Sequence, residues 1–229
     1  EFTLAGAIET LTWNATGDAS RLDVLEAPGT VTALTIAAGA DLRVDDTFTA
    51  AAITSLTVTG AGDVTLTPAL ASTALTVSAA DATGAVSFTS GGGNQTITTG
   101  SGDDVIDMAG TLTKDDTVDA GAGEDTIRID ADGLSAGVTD LSVVNVETFR
   151  FDNMAGNNGA VNMDEIALTA VRLDAAQGAA QAATTGILTL TDLSTSIDKF
   201  SLIGAGATGA ASDNVERLRG HKTVCRPWL

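Results

Sequence analysis

The chain has 229 residues, with 30 acidic and 11 basic side chains and a net charge of −19. A charge of this sign excludes a basic nucleic-acid-binding module, and no apolar run is long enough to insert into a membrane as a helix. The acids comprise 23 Asp and only 7 Glu, and aromatic residues make up 3% of the chain. Asp favours turns because its short carboxylate accepts hydrogen bonds from nearby backbone amides. The composition therefore predicts a turn-rich β protein with a thin aliphatic core.

Short strand-like motifs recur along the first half of the chain. Apolar residues alternate with Thr or Ser in segments such as 33–36, 55–58 and 74–77, a pattern typical of half-buried strands. Such motifs return about every ten residues, which indicates either a sandwich or a solenoid. Because near-identical motifs bury their apolar side chains well when they stack, we predict a parallel β-roll or β-helix over about 30–135.

A longer repeat flanks this predicted solenoid. The pattern aliphatic-Glu-Thr-Leu/Phe begins at Ile8 and again at Val146, 138 residues later. If the repeat is structural, both segments enter a strand with the same local backbone. In that case Leu11 and Phe149 are buried at equivalent positions.

These patterns divide the chain into four segments. Residues 1–29 are expected to end a preceding repeat, 30–137 to form the solenoid, and 138–213 to form a second β-rich repeat segment. Residues 214–229 form a basic tail that holds the single Cys and the single His. The tail is interpreted either as sequence foreign to the repeats, added at a fragment boundary, or as a basic recognition arm. The chain is thus expected to be a window on a longer repeat array.

The most specific motif lies between residues 90 and 128. Four nine-residue units align there, with three additional residues, 108–110, between the second and third units. Two units match the calcium-binding nonapeptide G-G-x-G-x-D-x-U-x except at the first Gly. Gly lets backbone carbonyl groups turn toward an ion, Asp supplies a carboxylate, and the aliphatic residue begins a buried strand. The matching residues are Gly100, Gly102 and Asp104 in one unit and Gly121, Gly123 and Asp125 in the other.

Stacked turns are expected to share their ligands. Turns alternate between the two edges of a roll, so each turn meets the turn two units away. We therefore predict that Asp104 and Asp125 hold one Ca²⁺ ion with carbonyl groups of the four glycines, provided that residues 108–110 bulge out. Further candidate ligands are Asp103 beside this pair and Asp116, Asp130 and Asp132 for the opposite edge.

The local charge favours cation binding. Residues 103–132 carry nine Asp and one Glu against two basic side chains. Stacking such turns without cations brings like charges together at low local dielectric constant. Cation binding at the opposite edge is less favoured, because Asn94 and Gln95 replace the acid in the facing turn. A solvated acidic face with plain Gly-rich turns is the alternative interpretation.

On these nonapeptides, residues 90–133 resemble the RTX calcium-binding repeats. The Thr/Ala/Gly-rich texture and the aliphatic-Glu-Thr unit look like bacterial surface-layer proteins and repetitive RTX adhesins. The resemblance implies a calcium-stabilised, non-catalytic structural module at the extracellular cell surface, exported by type I secretion. Implied partners are other copies of the chain in a surface array or a cell-surface polysaccharide. Glu9 and Glu147, at matching positions of the long repeat, either bind calcium or cap a turn.

Two other functions are compatible with the sequence. Residues 1–213 contain no His, no Cys and no G-x-S-x-G or H-E-x-x-H motif, so a β-helical polysaccharide-active enzyme with paired Asp residues is the remaining enzymatic alternative. T-x-T triplets suggest a surface that binds ice or carbohydrate. Their irregular separations favour a simpler interpretation, in which Thr reflects β propensity. The triplets are Thr10/Thr12, Thr65/Thr67, Thr96/Thr98 and Thr189/Thr191.

Overall fold

The computed structural model describes the backbone of most of the chain as far as residue 174 and of four short segments beyond it. Within these residues every regular element is a β-strand, which confirms the predicted all-β fold. No helix in the same residues is long and apolar enough to cross a membrane. The described residues are 2–3, 8–26, 29–49, 53–70, 74–130, 138–152, 160–163, 166, 168–174, 188–191, 199–203, 214–218 and 222–226.

The strands form three sheets. The ten-stranded sheet contains β1 (Phe2–Thr3), β3 (Ser20–Glu26), β5 (Leu42–Thr49), β7 (Val64–Ala69), β9 (Val86–Thr89), β11 (Val105–Asp107), β13 (Thr126–Asp130), β15 (Thr148–Asp152), β17 (Ala170–Asp174) and β19 (Lys199–Ile203). The seven-stranded sheet contains β2 (Thr10–Ala15), β4 (Ala33–Ala38), β6 (Ser55–Thr59), β8 (Ala74–Ser78), β10 (Asn94–Thr98), β12 (Thr117–Asp119) and β14 (Ser142–Val144). The third sheet contains β16 (Ala160–Asn162), β18 (Leu188–Thr191), β20 (Asn214–Leu218) and β21 (Lys222–Arg226).

The first two sheets are the two walls of a parallel β-solenoid. From β1 to β15 successive strands alternate between the walls, and strands within each wall pair in parallel with the next coil. The ten-stranded wall runs without interruption from β1 to β19, so coils precede residue 30 and continue past residue 135. The solenoid thus extends beyond the predicted range at both ends, because the flanking sequence keeps the same alternation of apolar and polar residues. The predicted division into four segments stays a prediction.

The core consists of apolar columns between the walls. Side chains along a strand alternate between two faces, so in-register pairing places identical positions of successive coils above one another. In the seven-stranded wall one inward column contains only aliphatic residues, all of them buried except the half-buried Leu11 of the terminal strand β2. It comprises Leu11, Leu34, Leu56, Val77, Ile97, Val118 and Val143.

The two segments of the long repeat both enter strands, as predicted. The carbonyl of Glu9 accepts hydrogen bonds from two successive amides of the next coil (2.9 and 3.2 Å), and the carbonyl of Glu147 does the same (3.0 and 2.9 Å). The strands that follow lie in different walls, however: β2 in the seven-stranded sheet and β15 in the ten-stranded sheet. Phe149 is buried whereas Leu11 is half-buried, because β2 is the last strand of its sheet.

Candidate metal centre

Two Gly-rich turns stack directly on each other at one edge of the solenoid. The turn at 99–104 leads into β11 and the turn at 120–125 leads into β13, and these strands pair with Val105 opposite Thr126. The N–H of Ala122 donates to the carbonyl of Gly100 (2.9 Å). This is the stacking that the nine-residue period predicted.

The close approach of the two turns requires glycine. A Cβ atom at Gly121 would lie 2.1 Å from the carbonyl oxygen of Gly100, and one at Gly123 would lie 2.4 Å from that of Gly102. Gly121 and Gly123 also have φ angles of 86° and 145°, which L side chains rarely adopt. Backbone oxygen atoms of one turn are therefore held against the next turn, close to the two Asp side chains.

The carboxylates at this edge form a column in which each side chain accepts a hydrogen bond from a backbone amide of the neighbouring coil. Oδ1 of Asp104 accepts from the N–H of Val86 (2.7 Å), and Oδ1 of Asp125 accepts from the N–H of Asp104 (2.8 Å). Oε2 of Glu147 accepts from the N–H of Asp125 (2.8 Å). Each acid thus satisfies a backbone donor of the preceding coil, and Glu147 caps a turn, one of its two predicted roles.

Burial sets the electrostatics of this column. Asp104 and Asp125 are 0% and 1% exposed, and Oδ2 of Asp125 has no hydrogen-bond partner among the described residues. Burial raises the pKa of Asp104, against the hydrogen bonds that it accepts from Val86, Thr99 and Gly100. Burial, followed by the charges of Asp104 and Glu147, raises the pKa of Asp125 to about 6. Two acids are therefore held where their charged forms are poorly solvated.

The donor set at this edge consists of oxygen atoms. Among the described residues, no three or more side chains of His, Cys, Asp or Glu are grouped so as to hold a metal ion. A cation between the turns would therefore need backbone carbonyl oxygens in addition to the carboxylates. Such a mixed set of hard oxygen donors suits Ca²⁺, which takes six to eight of them. The unpartnered Oδ2 of Asp125 fits that requirement.

The inserted residues 108–110 do not bulge out as expected. The Met108 side chain is fully buried in the core, and the backbone N–H of Met108 donates to the carbonyl of Arg128 (2.9 Å). The N–H of Thr111 closes a turn onto the carbonyl of Met108 (2.9 Å), and Ala109 takes a positive φ of 49°. The insertion is absorbed at the opposite edge because an apolar Met gains more by packing inside than by exposure to water. The register of Asp104 over Asp125 is thereby kept.

The other predicted ligands lie in different environments. Asp103 is exposed, and its Oδ1 accepts from the N–H of Glu124 (3.0 Å). Asp116 is buried at the opposite edge, where Oδ1 accepts from the N–H of Gln95 (2.7 Å). Asp130 ends β13, and its N–H donates to the carbonyl of Ala109 in the preceding coil. Asp132 lies outside the described residues.

Two carboxylates upstream of the nonapeptides, those of Asp41 and Asp63, belong to the same edge. Oδ1 of Asp41 accepts from the N–H of Asp63 (3.0 Å), and Oδ1 of Asp63 accepts from the N–H of Ala85 (2.8 Å). The signal for them is the 22-residue interval between two Gly/Ala-Asp turns, which equals the length of one coil.

The fold and this edge define a class: a parallel β-solenoid whose Gly-rich turns are joined by buried carboxylates. No protein-family model, no curated protein and no solved structure matches the chain. The resemblance to RTX repeats therefore stays a prediction.

Proposed function

We propose that this chain is a calcium-stabilised structural module of a secreted bacterial surface-layer protein or adhesin, without catalytic activity. The observation that carries the proposal is the buried Asp125, whose Oδ2 has no partner among the described residues and which lies beside Asp104. A buried carboxylate is costly unless it is paired with a cation or hydrogen-bonded throughout. A cation at this position removes that cost.

The proposed ligands are Asp104 and Asp125 together with carbonyl groups of the stacked glycines. The ion supplies positive charge that neutralises the two carboxylates and joins successive coils. The chain itself positions the donors, since the turns approach so closely that a Cβ atom at Gly123 would lie 2.4 Å from the carbonyl oxygen of Gly102. The ion thus acts on folding, because the stacked turns that hold it exist only in the folded state.

The proposed location of the module is extracellular. Calcium sites of extracellular modules typically bind with dissociation constants of about 10⁻⁴–10⁻³ M. A site with that affinity fills outside the cell. A chain with a net charge of −19 would then be stabilised where the ion is abundant. The surface-layer or adhesin role and export by type I secretion are proposed from the resemblance to RTX repeats. Other copies of the chain or a cell-surface polysaccharide are the proposed partners.

Thermal melting in EDTA and in 5–10 mM CaCl₂ tests the proposal. At a hundred times the dissociation constant, one site adds about 2.7 kcal/mol to the free energy of unfolding. For a chain of this length that corresponds to a melting temperature higher by roughly 5–10 °C. MgCl₂ at the same concentration is the control for ionic strength and for divalent charge. Equal melting temperatures in EDTA and in calcium would falsify the proposal.

A second candidate function rests on the outer face of the seven-stranded sheet. Strand pairing aligns outward residues of this sheet into two columns, with about 4.8 Å between strands and roughly 6.8 Å between the columns. Of the fourteen positions, eleven are Ser or Thr and only Asp119 is charged. The hydroxyl-bearing positions are Thr10, Ser55, Thr76, Thr96, Thr117 and Ser142 in one column and Thr12, Thr35, Thr57, Ser78 and Thr98 in the other.

Two T-x-T triplets with irregular sequence separation thus share one face, whereas Thr65/Thr67 lies in the ten-stranded sheet and Thr189/Thr191 in the third sheet. The outer face of the ten-stranded sheet differs, since it carries ion pairs such as those of Arg128 and Arg150 with Asp152. A hydroxyl face with a single charged position on an acidic protein suits a neutral carbohydrate. This is the proposed second function.

Co-sedimentation with an insoluble neutral glucan tests the hydroxyl face. Thr57→Val with Thr76→Val removes two hydroxyl groups and keeps β-branched side chains, so binding falls severalfold while the fold is retained. Thr65→Val in the other sheet is the matched control and leaves binding unchanged. Equal binding by all variants, or no binding by the parent chain, rejects this second function.

A further inference from the structure

The turn at 90–95 lies at the opposite edge and carries a glutamine where the nonapeptide has its acid. The unit from Ser90 to Thr98 has Gly at its second and fourth positions and Gln95 at its sixth. Gln95 is fully buried, at 0% exposure. β10 and β12 pair with Thr96 opposite Thr117, so this turn stacks on the turn at 111–116.

The carboxamide of Gln95 closes its own turn. Its Nε2 donates to the carbonyl of Gly92 (3.1 Å) and to the carbonyl of Gly93 (3.1 Å). These are backbone oxygens of the Gly-rich turn, the kind of group that faces an ion in the calcium-binding nonapeptide. The opposite orientation of the amide would point Oε1 at two carbonyl oxygens, so the hydrogen bonds determine the orientation. Oε1 then has no partner among the described residues.

The facing acid is also satisfied by protein donors. Oδ1 of Asp116 accepts from the N–H of Gln95 (2.7 Å). Its Oδ2 accepts from the N–H of Thr113 (2.7 Å) and from Oγ1 of the same residue (3.1 Å). Both oxygen atoms of Asp116 therefore have donors, whereas Oδ2 of Asp125 at the first edge has none among the described residues.

We propose that the Gln95 carboxamide takes the place of a cation at this edge, so that the turns at 90–95 and 111–116 are held together without calcium. Its NH₂ group presents partial positive charge to the turn carbonyls, as an ion does, and it is covalently attached. Calcium dependence is then confined to the Asp104/Asp125 edge, an assignment that rests on the proposed function. Residue 95 is the position that determines whether this edge binds metal.

Gln95→Glu tests the inference, because it exchanges the NH₂ group for an oxygen and changes the shape of the side chain little. The new carboxylate faces two carbonyl oxygens and needs a cation. We expect this variant to bind one more Ca²⁺ per chain than the parent in calorimetric titration with CaCl₂. Its melting temperature should be several degrees below that of the parent in EDTA and should recover in calcium. Gln95→Asp, which gives this unit the same match to the nonapeptide as the other two, should behave in the same way.

Gln95→Ala is the matched control, since it removes both donors and adds no charge. It should lower the melting temperature equally in EDTA and in calcium and leave the number of bound ions unchanged. Loss of one bound ion in Gln95→Ala or in Asp116→Ala would overturn the inference, because this edge would then bind calcium in the parent chain. Failure of both acidic variants to gain an ion would overturn it as well.

The experiment separates this inference from the proposed function. A parent chain that binds no calcium contradicts the calcium-stabilised module. If the acidic variants nevertheless gain one ion, the role of Gln95 stands alone. If the parent binds calcium and Asp125→Ala abolishes that ion while Gln95→Ala does not, both proposals are supported.

Discussion

The edge that carries the candidate metal centre has two halves. In both, Asp carboxylates accept hydrogen bonds from backbone amides of a neighbouring coil, but the neighbouring coil lies on opposite sides in the two halves. Upstream, Asp41 and Asp63 accept backbone amides of the following coil; downstream, Asp104 and Asp125 accept amides of the preceding coil. The direction reverses at the coil that has Ala85, not Asp, immediately before its strand. There the adjacent amides of Ala85 and Val86 donate to carboxylates on opposite sides.

Burial is the larger difference between the halves. Asp41 and Asp63 are exposed, so water solvates their free oxygen atoms, whereas Asp104 and Asp125 are excluded from solvent. The same carboxylate-to-amide hydrogen bond is therefore inexpensive upstream and leaves a poorly solvated charge downstream. The hydrogen bond alone therefore does not create a need for a cation; exclusion from water does.

The largest expected effect concerns the tightness of the stacked turns, which both halves share. A Cβ atom at Gly60 would lie 2.2 Å from a backbone oxygen, as close as at the downstream glycines. Gly17 and Gly123 both have positive φ, but a Cβ atom at Gly17 meets nothing within 4 Å, whereas one at Gly123 lies 2.4 Å from a backbone oxygen. We expect Gly17→Ala to cost about 1 kcal/mol for backbone strain alone and Gly123→Ala to cost about 3 kcal/mol or more. Urea denaturation of the two variants measures the difference. Equal losses would show that the stacked turns can separate without cost.

Asp125→Asn removes the buried charge, while the amide oxygen of the new side chain can still accept a hydrogen bond from the N–H of Asp104. In EDTA at pH 7 the variant should be more stable than the parent by up to about 3 kcal/mol, since the pKa of Asp125 is raised to about 6. In calcium the order should reverse, because Asn is a poorer ligand than Asp. Thermal melting in the two buffers checks both signs. A variant that is less stable in EDTA as well would mean that the charge is well solvated.

The pH dependence of stability in EDTA follows from the same pKa. The folded state holds the Asp125 proton up to about pH 6, whereas the unfolded chain releases it near the ordinary value of 3.8. The folded state therefore binds more protons between these values, and this group's contribution to stability falls as the pH rises from about 4 to about 6. The parent should lose about 2–3 kcal/mol relative to Asp125→Asn across this window. Parallel pH profiles of the two chains would contradict the assignment.

The smallest effect is expected upstream. Asp63→Asn keeps an oxygen acceptor for the N–H of Ala85 and removes only an exposed charge, so we expect a change within about 0.5 kcal/mol. The change should be the same with and without calcium. Melting curves of this variant in EDTA and in CaCl₂ provide the measurement. A calcium-dependent loss would extend the metal centre into the upstream half.

Much of the fold was predictable because it depends on short-range patterns. Alternation of aliphatic residues with Thr or Ser specifies strands and their inward faces, and the nine-residue Gly-Asp period specifies which turns stack. The pairing of Asp104 with Asp125 follows from that period once residues 108–110 are set aside as an insertion. Residues 108–110 were misjudged, because the alignment treats them as surplus although Met108 is an apolar side chain with a place in the core.

Tertiary structure decided the features that depend on which coils are neighbours. The role of Glu147 was open in the sequence because its hydrogen-bond donor, Asp125, lies 22 residues away on the preceding coil. Thr10 and Thr96 share one column although the intervals between successive members of that column are unequal. The coils differ in length, so only the strand pairing shows that these residues are aligned. Burial likewise separates Asp63 from Asp125, two residues with similar Gly-rich surroundings in the sequence. Local sequence determines the conformation of each turn, but the stacked neighbours determine how much water reaches it.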